Sequence, residues 1–547
     1  MTDYIIVGAG SAGCVLADRL SRDPGNSVLL LEAGGSTEHP LVHMPRGMAK
    51  LWQTPKYFWS FPMEDHPNRA PNETWYYGKG LGGSSAVNGT WYFRGQPGDY
   101  NSWEALGLAG WNWEVISRAY AELEGYNDPQ ADQSRGKKGP LEITASKDRN
   151  PINDALIEAG RQMGIPFLAD VNQPGTEGIG YTQMTVNSRG RRVSAYSAFL
   201  KHARKRPNLK VRTGVHVRRV DFDDSKRAVG VTCSMGYGLE RFTANKEIIV
   251  SSGVMQSPKL LQLSGIGPRD LLDSHKIAVV HSNDQVGKNL AEHMMISMSY
   301  DLMETPGINR EFSGWRLYKN VLDYFLMGRG HMATNLPDVS AMVSSPETAS
   351  DFPDIQLGIS PYSLENSAEA KSEAGRGVPE TTPGITAVGF YLRPESRGTV
   401  FIRSSDPRDP PRSTANWFGN ERDKKHFLDM VKTIRAYMSQ PALQRYVGDE
   451  KFPSAQHQSD EEILEMGYWL MSTGLHGTGT CRMGLEGAGV LDEHLRVRGV
   501  DGLRVVDCSA IPTPISGNTN GPAMALAWRA ADLILADAEQ STIRKSN

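Results

Sequence analysis

Gly8-Ala9-Gly10-Ser11-Ala12-Gly13 sets three glycines at the spacing that brings a backbone up to a pyrophosphate. Gly8 permits the tight turn, Gly10 the approach of the phosphates, and Gly13 the close packing of the following helix on the preceding strand. Ser11 and Ala12 stand at the start of that helix, whose unpaired N–H groups would face the phosphates. Glu32 follows Gly13 by 19 residues at the end of a second apolar run, with Ala33 next to it. An acid there suits a ribose hydroxyl and disfavours a 2′-phosphate, so NADP is the poorer ligand. The motif leaves FAD and NAD both open. Its plain alternative is a glycine-rich turn with no ligand.

Four cysteines, Cys14, Cys233, Cys481 and Cys508, form neither a CxxC pair nor a metal-ligand cluster, so no metal site is expected. Reduced, buried thiols fit a reducing compartment. Among thirteen histidines, His476 stands apart because Gly477-Thr478-Gly479-Thr480 follows it at once. Histidine titrates near neutral pH and is the natural general base for a hydroxyl. The competing reading is a histidine that caps the loop.

These residues need a scaffold. Tyr4–Val7, Val28–Leu31, Ile248–Val250 and Leu503–Val506 are short aliphatic runs of the kind found in buried parallel strands. The first and last lie nearly 500 residues apart, so a sheet holding both is discontinuous. Helices are expected over Ala12–Ser21, Ser257–Leu263 and Ala523–Ala536, with Pro522 suited to the first turn of the last. Asn127–Gly139 and Ser363–Pro383 read as loops or insertions. The 547 residues suffice for about two to four domains. A net charge of −3 recommends neither nucleic acid nor an anionic membrane as partner. No export signal and no membrane span is legible, and a cytoplasmic location is expected.

Gly78-Lys79-Gly80-Leu81-Gly82-Gly83-Ser84-Ser85-Ala86-Val87-Asn88-Gly89 is a second loop that exposes backbone, and simple nicotinamide enzymes have no obvious use for it. With Ser252–Gly267, Gly287–His293, His476–Gly484, Leu503–Pro514 and Gly517–Asn520, the chain resembles the glucose–methanol–choline oxidoreductase family over nearly its whole length, most weakly across 296–395. The resemblance implies an α/β fold. A discontinuous Rossmann-like FAD-binding domain would take 1–153, 189–295 and 476–547. An α+β substrate domain on an antiparallel sheet would take 154–188 and 296–475.

It also implies FAD as cofactor. The isoalloxazine would lie by Gly82, Gly83, Ser84, Asn88 and Gly89, the adenine by the Val217 backbone, and the ribitol or phosphate region by Asp507. Asn520 and Pro522 would bring the last helix, positive end first, to the flavin. Some relatives tether the flavin to a histidine where this chain has Val87, so noncovalent FAD is expected. Leu475 replaces an aromatic residue common in relatives, which puts an aromatic substrate clamp in doubt. Gly80 replaces an aliphatic one, which suggests a more flexible flavin loop.

By the same resemblance His476 is the base that takes the alcohol proton, and Asn518, which cannot take a proton, orients the alcohol oxygen. His293 and His331 read as structural. The expected reaction is oxidation of an alcohol, most naturally a primary one, to the aldehyde, with oxygen or a redox carrier as final acceptor. A flavin lyase of the same fold, or a flavin-binding protein without turnover, are the alternatives; neither needs both His476 and Asn518.

Overall fold

The computed structural model describes residues 2–65, 73–146, 150–236, 238–305, 307–345, 352–365 and 378–546. The four aliphatic runs lie side by side. Thr2–Val7 pairs in parallel with Val28–Glu32 on one side and with the end of Gly238–Val250 on the other. Leu209–Thr213 extends the sheet beyond Val28–Glu32, and Leu503–Val505 extends it beyond Gly238–Val250, both in parallel. Ile5, Ile6, Leu30, Ile248 and Ile249 are wholly buried, as a sheet covered on both faces requires. Gly238–Val250 serves twice. Its first half runs antiparallel to Ala228–Met235, which pairs with His216–Phe222, before its second half joins the parallel core. The helices Ser11–Leu20 and Asn520–Ser546 pack together, so both ends of the chain build one domain.

The middle helix starts at Gly253, four residues before its expected start at Ser257, and contains Pro258. Proline lacks the N–H that would bond the Val254 carbonyl one turn earlier. The Thr480 hydroxyl donates to that carbonyl instead, at 2.7 Å. The substitution ties this helix to the loop that carries His476. The last helix begins at Asn520 rather than Ala523, which puts Pro522 inside its first turn.

A second seven-stranded sheet is antiparallel throughout. Gly178–Tyr181, Val339–Val343, Ile355–Ser360, Gly384–Tyr391, Met294–Leu302 and Val447–Phe452 lie in that order, with Ser472–Thr473 also paired to Met294–Leu302. Directly opposed residues share a face. Met295 opposes both Phe390 and Ser472, and Gln356 opposes both Phe390 and Met342, so one row of side chains crosses the sheet. Val388 and Ser297 form the next row on the same face. Part of the loop expected at Ser363–Pro383 lies outside the described residues.

Candidate active site

A cavity of about 960 Å³ runs between the two sheets. At one end it is lined by Gly8, Gly10, Ser11 and Ala12, with Glu32, Ala33 and Val217 beside them. Gly83, Ser84, Asn88 and Gly89 line it too, with Asp507 and Asn520. His476 and Asn518 also line it. Gly13, Gly82 and Pro522 stand behind the wall. A side chain on Gly13 would overlap the Gly8 carbonyl, so this glycine sets the helix–strand distance. Gly82 donates its N–H to the Ala9 carbonyl at 2.7 Å and so joins the two glycine loops.

The carboxylates at this end are loop ties. Glu32 accepts the N–H groups of Ala9, Gly34 and Gly80 at 2.8, 2.7 and 3.1 Å. Burial pushes its carboxyl up against the pull of those donors. Asp507 accepts from Gly253 N–H at 2.9 Å, the Ser257 hydroxyl at 2.6 Å and Ser509 N–H at 2.8 Å. Gly80 corrects the expectation of a loose flavin loop. Its φ of +124° is a glycine conformation, an added Cβ would lie 2.8 Å from the Gly35 carbonyl, and its N–H is held by Glu32. Glycine here is what the packed turn requires.

The residues present fit an FAD. A Cβ on Gly10 would have only the Ser251 carbonyl near it, at 3.9 Å, and one on Gly89 would meet nothing within 4 Å, so both glycines border open space. Ser11 Oγ donates to Asn520 Oδ1 at 2.8 Å, while Asn520 Nδ2 is buried with no partner on the cavity wall. A buried donor in that state needs an acceptor. Val87 is buried among Val42, Leu51, Tyr57 and Phe58 and offers no nucleophile.

At the other end the residues come from distant segments. Ser472–Thr473 pairs with Met294–Met295, and Ala291 exchanges two backbone hydrogen bonds with Thr478, at 3.0 and 2.9 Å. The His476 loop is thereby zipped to the Ala291–Met295 segment. Glu292 Oε1 accepts the His476 N–H at 2.9 Å. Leu475 takes a left-handed φ of +58°, which turns the chain just before the base.

Asn518 Nδ2 lies 2.8 Å from His476 Nε2, and Gln356 Nε2 donates to Asn518 Oδ1 at 3.0 Å. The Gln356 bond fixes the orientation of the Asn518 amide. An amide nitrogen only donates, so His476 Nε2 must be the acceptor, with its lone pair toward Asn518. The ring proton then sits on Nδ1, which donates to His293 Nδ1 at 3.1 Å. Backbone groups of Leu392 and Ile515 hydrogen-bond the His293 ring.

Burial lowers His476 to about 3 and takes His293 well below the ordinary histidine range, the latter helped by His476 itself. A base poised near neutrality was expected. Desolvation instead keeps the imidazole neutral, with Nε2 free to accept. Burial also pushes Glu292 up to about 8, so this carboxyl adds little negative charge behind the base at neutral pH.

The wall beside the base is apolar. Phe390 lies 5.5 Å from the His476 ring, with Val388, Met295 and Trp91 around it. The aromatic neighbour absent at Leu475 is thus supplied by the sheet. His293, read as structural, touches the base, whereas His331 packs on Phe312 outside the cavity lining. Gln356 went unseen because it lies where the sequence resemblance is weakest. His293 and Glu292 stood inside a motif already noticed, and only the fold reveals what they touch.

Family models described as GMC oxidoreductase match residues 2–295 and 394–527. The chain is 36% identical to an alcohol dehydrogenase [acceptor] of Pseudomonas putida over 100% of its own length and 98% of the relative's. It is 36% identical to an oxygen-dependent choline dehydrogenase of Vibrio vulnificus, over 97% and 94%. Among solved structures, pyridoxine 4-oxidase from Mesorbium loti superposes with a TM-score of 0.86 at 28% identity, over 97% of this chain and 99% of that one. A formate oxidase superposes with a TM-score of 0.90 at 25% identity, over 98% and 99%.

Proposed function

The chain belongs to the GMC oxidoreductase family and is an FAD-dependent oxidoreductase acting on CH–OH donors; from that premise we propose that it oxidises uncharged, apolar primary alcohols to aldehydes with His476 as base. The observation that carries the proposal is the pair of His476 Nε2 and Asn518 Nδ2, 2.8 Å apart beside an apolar wall. An alcohol oxygen that displaces this direct bond donates its proton to Nε2 and accepts from the Asn518 amide. As the O–H weakens, the carbinol C–H becomes hydridic. FAD, when bound, supplies the hydride acceptor at N5. Gln356 holds the Asn518 amide in its donating orientation. His293 keeps the one ring proton of neutral His476 on Nδ1, the side away from the substrate.

Phe390, Val388, Met295 and Trp91 suit a hydrocarbon body at the carbinol carbon. Of the four carboxylates on the cavity wall, Glu32 and Asp507 are tied to the loops, Glu73 accepts the indole N–H groups of Trp75 and Trp417 at 2.9 and 3.2 Å, and Glu365 is exposed to solvent. A quaternary ammonium gains most from an available, desolvated carboxylate; the first three already serve other donors, and a solvent-exposed carboxylate holds a cation weakly.

The FAD is proposed to be noncovalent because Val87 stands at the tethering position. Acid precipitation should leave the yellow colour in the supernatant; a yellow pellet refutes this point. Anaerobic bleaching by a panel of alcohols, followed by reoxidation with oxygen or an artificial acceptor, tests the rest. Aliphatic or benzylic primary alcohols should bleach the flavin faster than choline at equal concentration. No bleaching by any alcohol overturns the reaction, and choline in first place overturns the substrate class.

A further inference from the structure

The helix Gly314–Met327 turns its greasy side outward. Leu317, Val321 and Tyr324 face the body of the protein and pack with Met44, Phe312, Met332 and Ala333. Trp315, Tyr318, Leu322, Phe325 and Leu326 are exposed by 69, 78, 56, 58 and 72%. Their spacing of i, i+3, i+7, i+10 and i+11 keeps them on one stripe. Each large apolar side chain left in water forgoes the gain of burial, so a stripe of five calls for a cover.

The charges around the stripe have one dominant sign. The acids near it, Glu311 and Asp323, are paired with Arg316 and Lys319 of the same helix. At the helix C-terminal end the turn holding Arg189 and Arg191 packs its Gly190 against the Gly328 carbonyl, and Arg329 follows directly. All three arginines are exposed, and among the described residues none has a carboxylate within ion-pair distance. The rim of the cavity is close by: Phe312, just before the helix, lies edge-on to Tyr362 at 5.3 Å, and Tyr362 lines the cavity.

We propose that Gly314–Met327 is an interfacial helix that docks the protein on an anionic lipid bilayer. The stripe enters the headgroup–acyl boundary, and Arg189, Arg191 and Arg329 engage lipid phosphates. The net charge of −3 hides this local excess of cations. Among the described residues no helix is long and apolar enough to cross a membrane, so the contact is peripheral. A second copy of the chain is the poorer occupant. Specific protein interfaces use about 20–30 residues a side, and this patch offers five apolar side chains. Docking would hold the cavity rim against the phase in which apolar alcohols concentrate, a consequence that rests on the proposed function.

Flotation of the holoenzyme tests the docking itself and needs no turnover. The parent should float with vesicles of phosphatidylcholine and phosphatidylglycerol and remain below with phosphatidylcholine alone. The variant W315S/L322S/F325S/L326S should stay below with both. The variant R189Q/R191Q/R329Q should bind the anionic vesicles roughly tenfold or more weakly. Bound-FAD absorbance should match the parent in both variants, which separates lost docking from lost folding. A parent that does not float, or an apolar variant that floats like the parent, overturns the proposal. So does a parent dimer by light scattering that the apolar variant converts to a monomer.

Discussion

The two ends of the cavity are made of different material. At the nucleotide end the wall is backbone, exposed by glycines and tied by two carboxylates, Glu32 and Asp507, that spend their oxygens on N–H groups of the protein. At the reacting end the wall is side chains. His476, Asn518, Gln356, His293 and Phe390 come from separate stretches of chain and meet because two strands of the antiparallel sheet and two loops end there. A backbone site must hold a ligand of fixed shape and needs local sequence. A side-chain site must tune one proton and needs the whole fold. Substitutions at the two ends should therefore fail in different measurements.

The largest effect belongs to the base. His476→Ala should slow anaerobic flavin reduction by roughly 10²–10⁴-fold, the range for a positioned general base. FAD content should be unchanged. The deficit should narrow as pH rises, because hydroxide can then take the alcohol proton. A variant that lost its FAD along with its rate would erase the division between the two ends.

Glu32→Ala should show the reverse. It leaves three N–H donors, those of Ala9, Gly34 and Gly80, without their acceptor. A buried donor left unpaired costs about 1–3 kcal/mol, so FAD affinity should fall roughly 10–100-fold on that basis. Flavin reduction in the fully loaded enzyme should stay within about twofold, since the loss is far from the base. Titration of apoprotein with FAD and stopped-flow on the loaded enzyme read the two halves. Unchanged affinity with a slow loaded enzyme would make Glu32 part of the reacting end.

Asn518→Ala comes next. It removes one hydrogen bond to the alcohol oxygen, worth about 1 kcal/mol, hence a loss near fivefold. The pH profile of the base should survive, because the substituted group carries no titrating proton. A shifted profile would mean that Asn518 does more than orient.

What the sequence disclosed follows the same division. The four aliphatic strands and both glycine loops were legible because each is a contiguous string whose spacing is its function. His476 and Asn518 were legible through the resemblance. Gln356 was not, because its role comes from opposing Phe390 on the neighbouring strand and donating to Asn518, 162 positions away, and no local pattern marks either relation. The His476–His293 contact escaped for the same reason, with the two rings 183 positions apart in the chain. The apolar stripe on Gly314–Met327 was not legible either, because only burial shows that the helix's aromatic side points outward.

His293 gives the smallest and most specific effect. Its Nδ1 accepts the His476 ring proton, so it selects the tautomer with an open Nε2, and its buried ring helps exclude water from the base. His293→Ala loses the acceptor, and flavin reduction at pH 8 should fall a few-fold as part of His476 shifts its proton to Nε2. The same substitution leaves space that water can enter. Desolvation is what holds His476 down at about 3, so hydration should move it up toward the ordinary histidine value of 6.5. The active form is the neutral ring. In the parent, with its base near 3, the neutral fraction is complete across pH 5.5–8.5, and reduction should show no acid limb from His476 in that range. In the variant the raised value brings an acid limb into the window, so the deficit should grow as pH falls from 8 to 5.5. His293→Asn, whose side-chain carbonyl can still accept from Nδ1, should recover most of the rate at pH 8. A His293→Ala variant with the parent's rate and a flat profile would leave His293 as packing alone and return the tuning of the base to His476 and its loop.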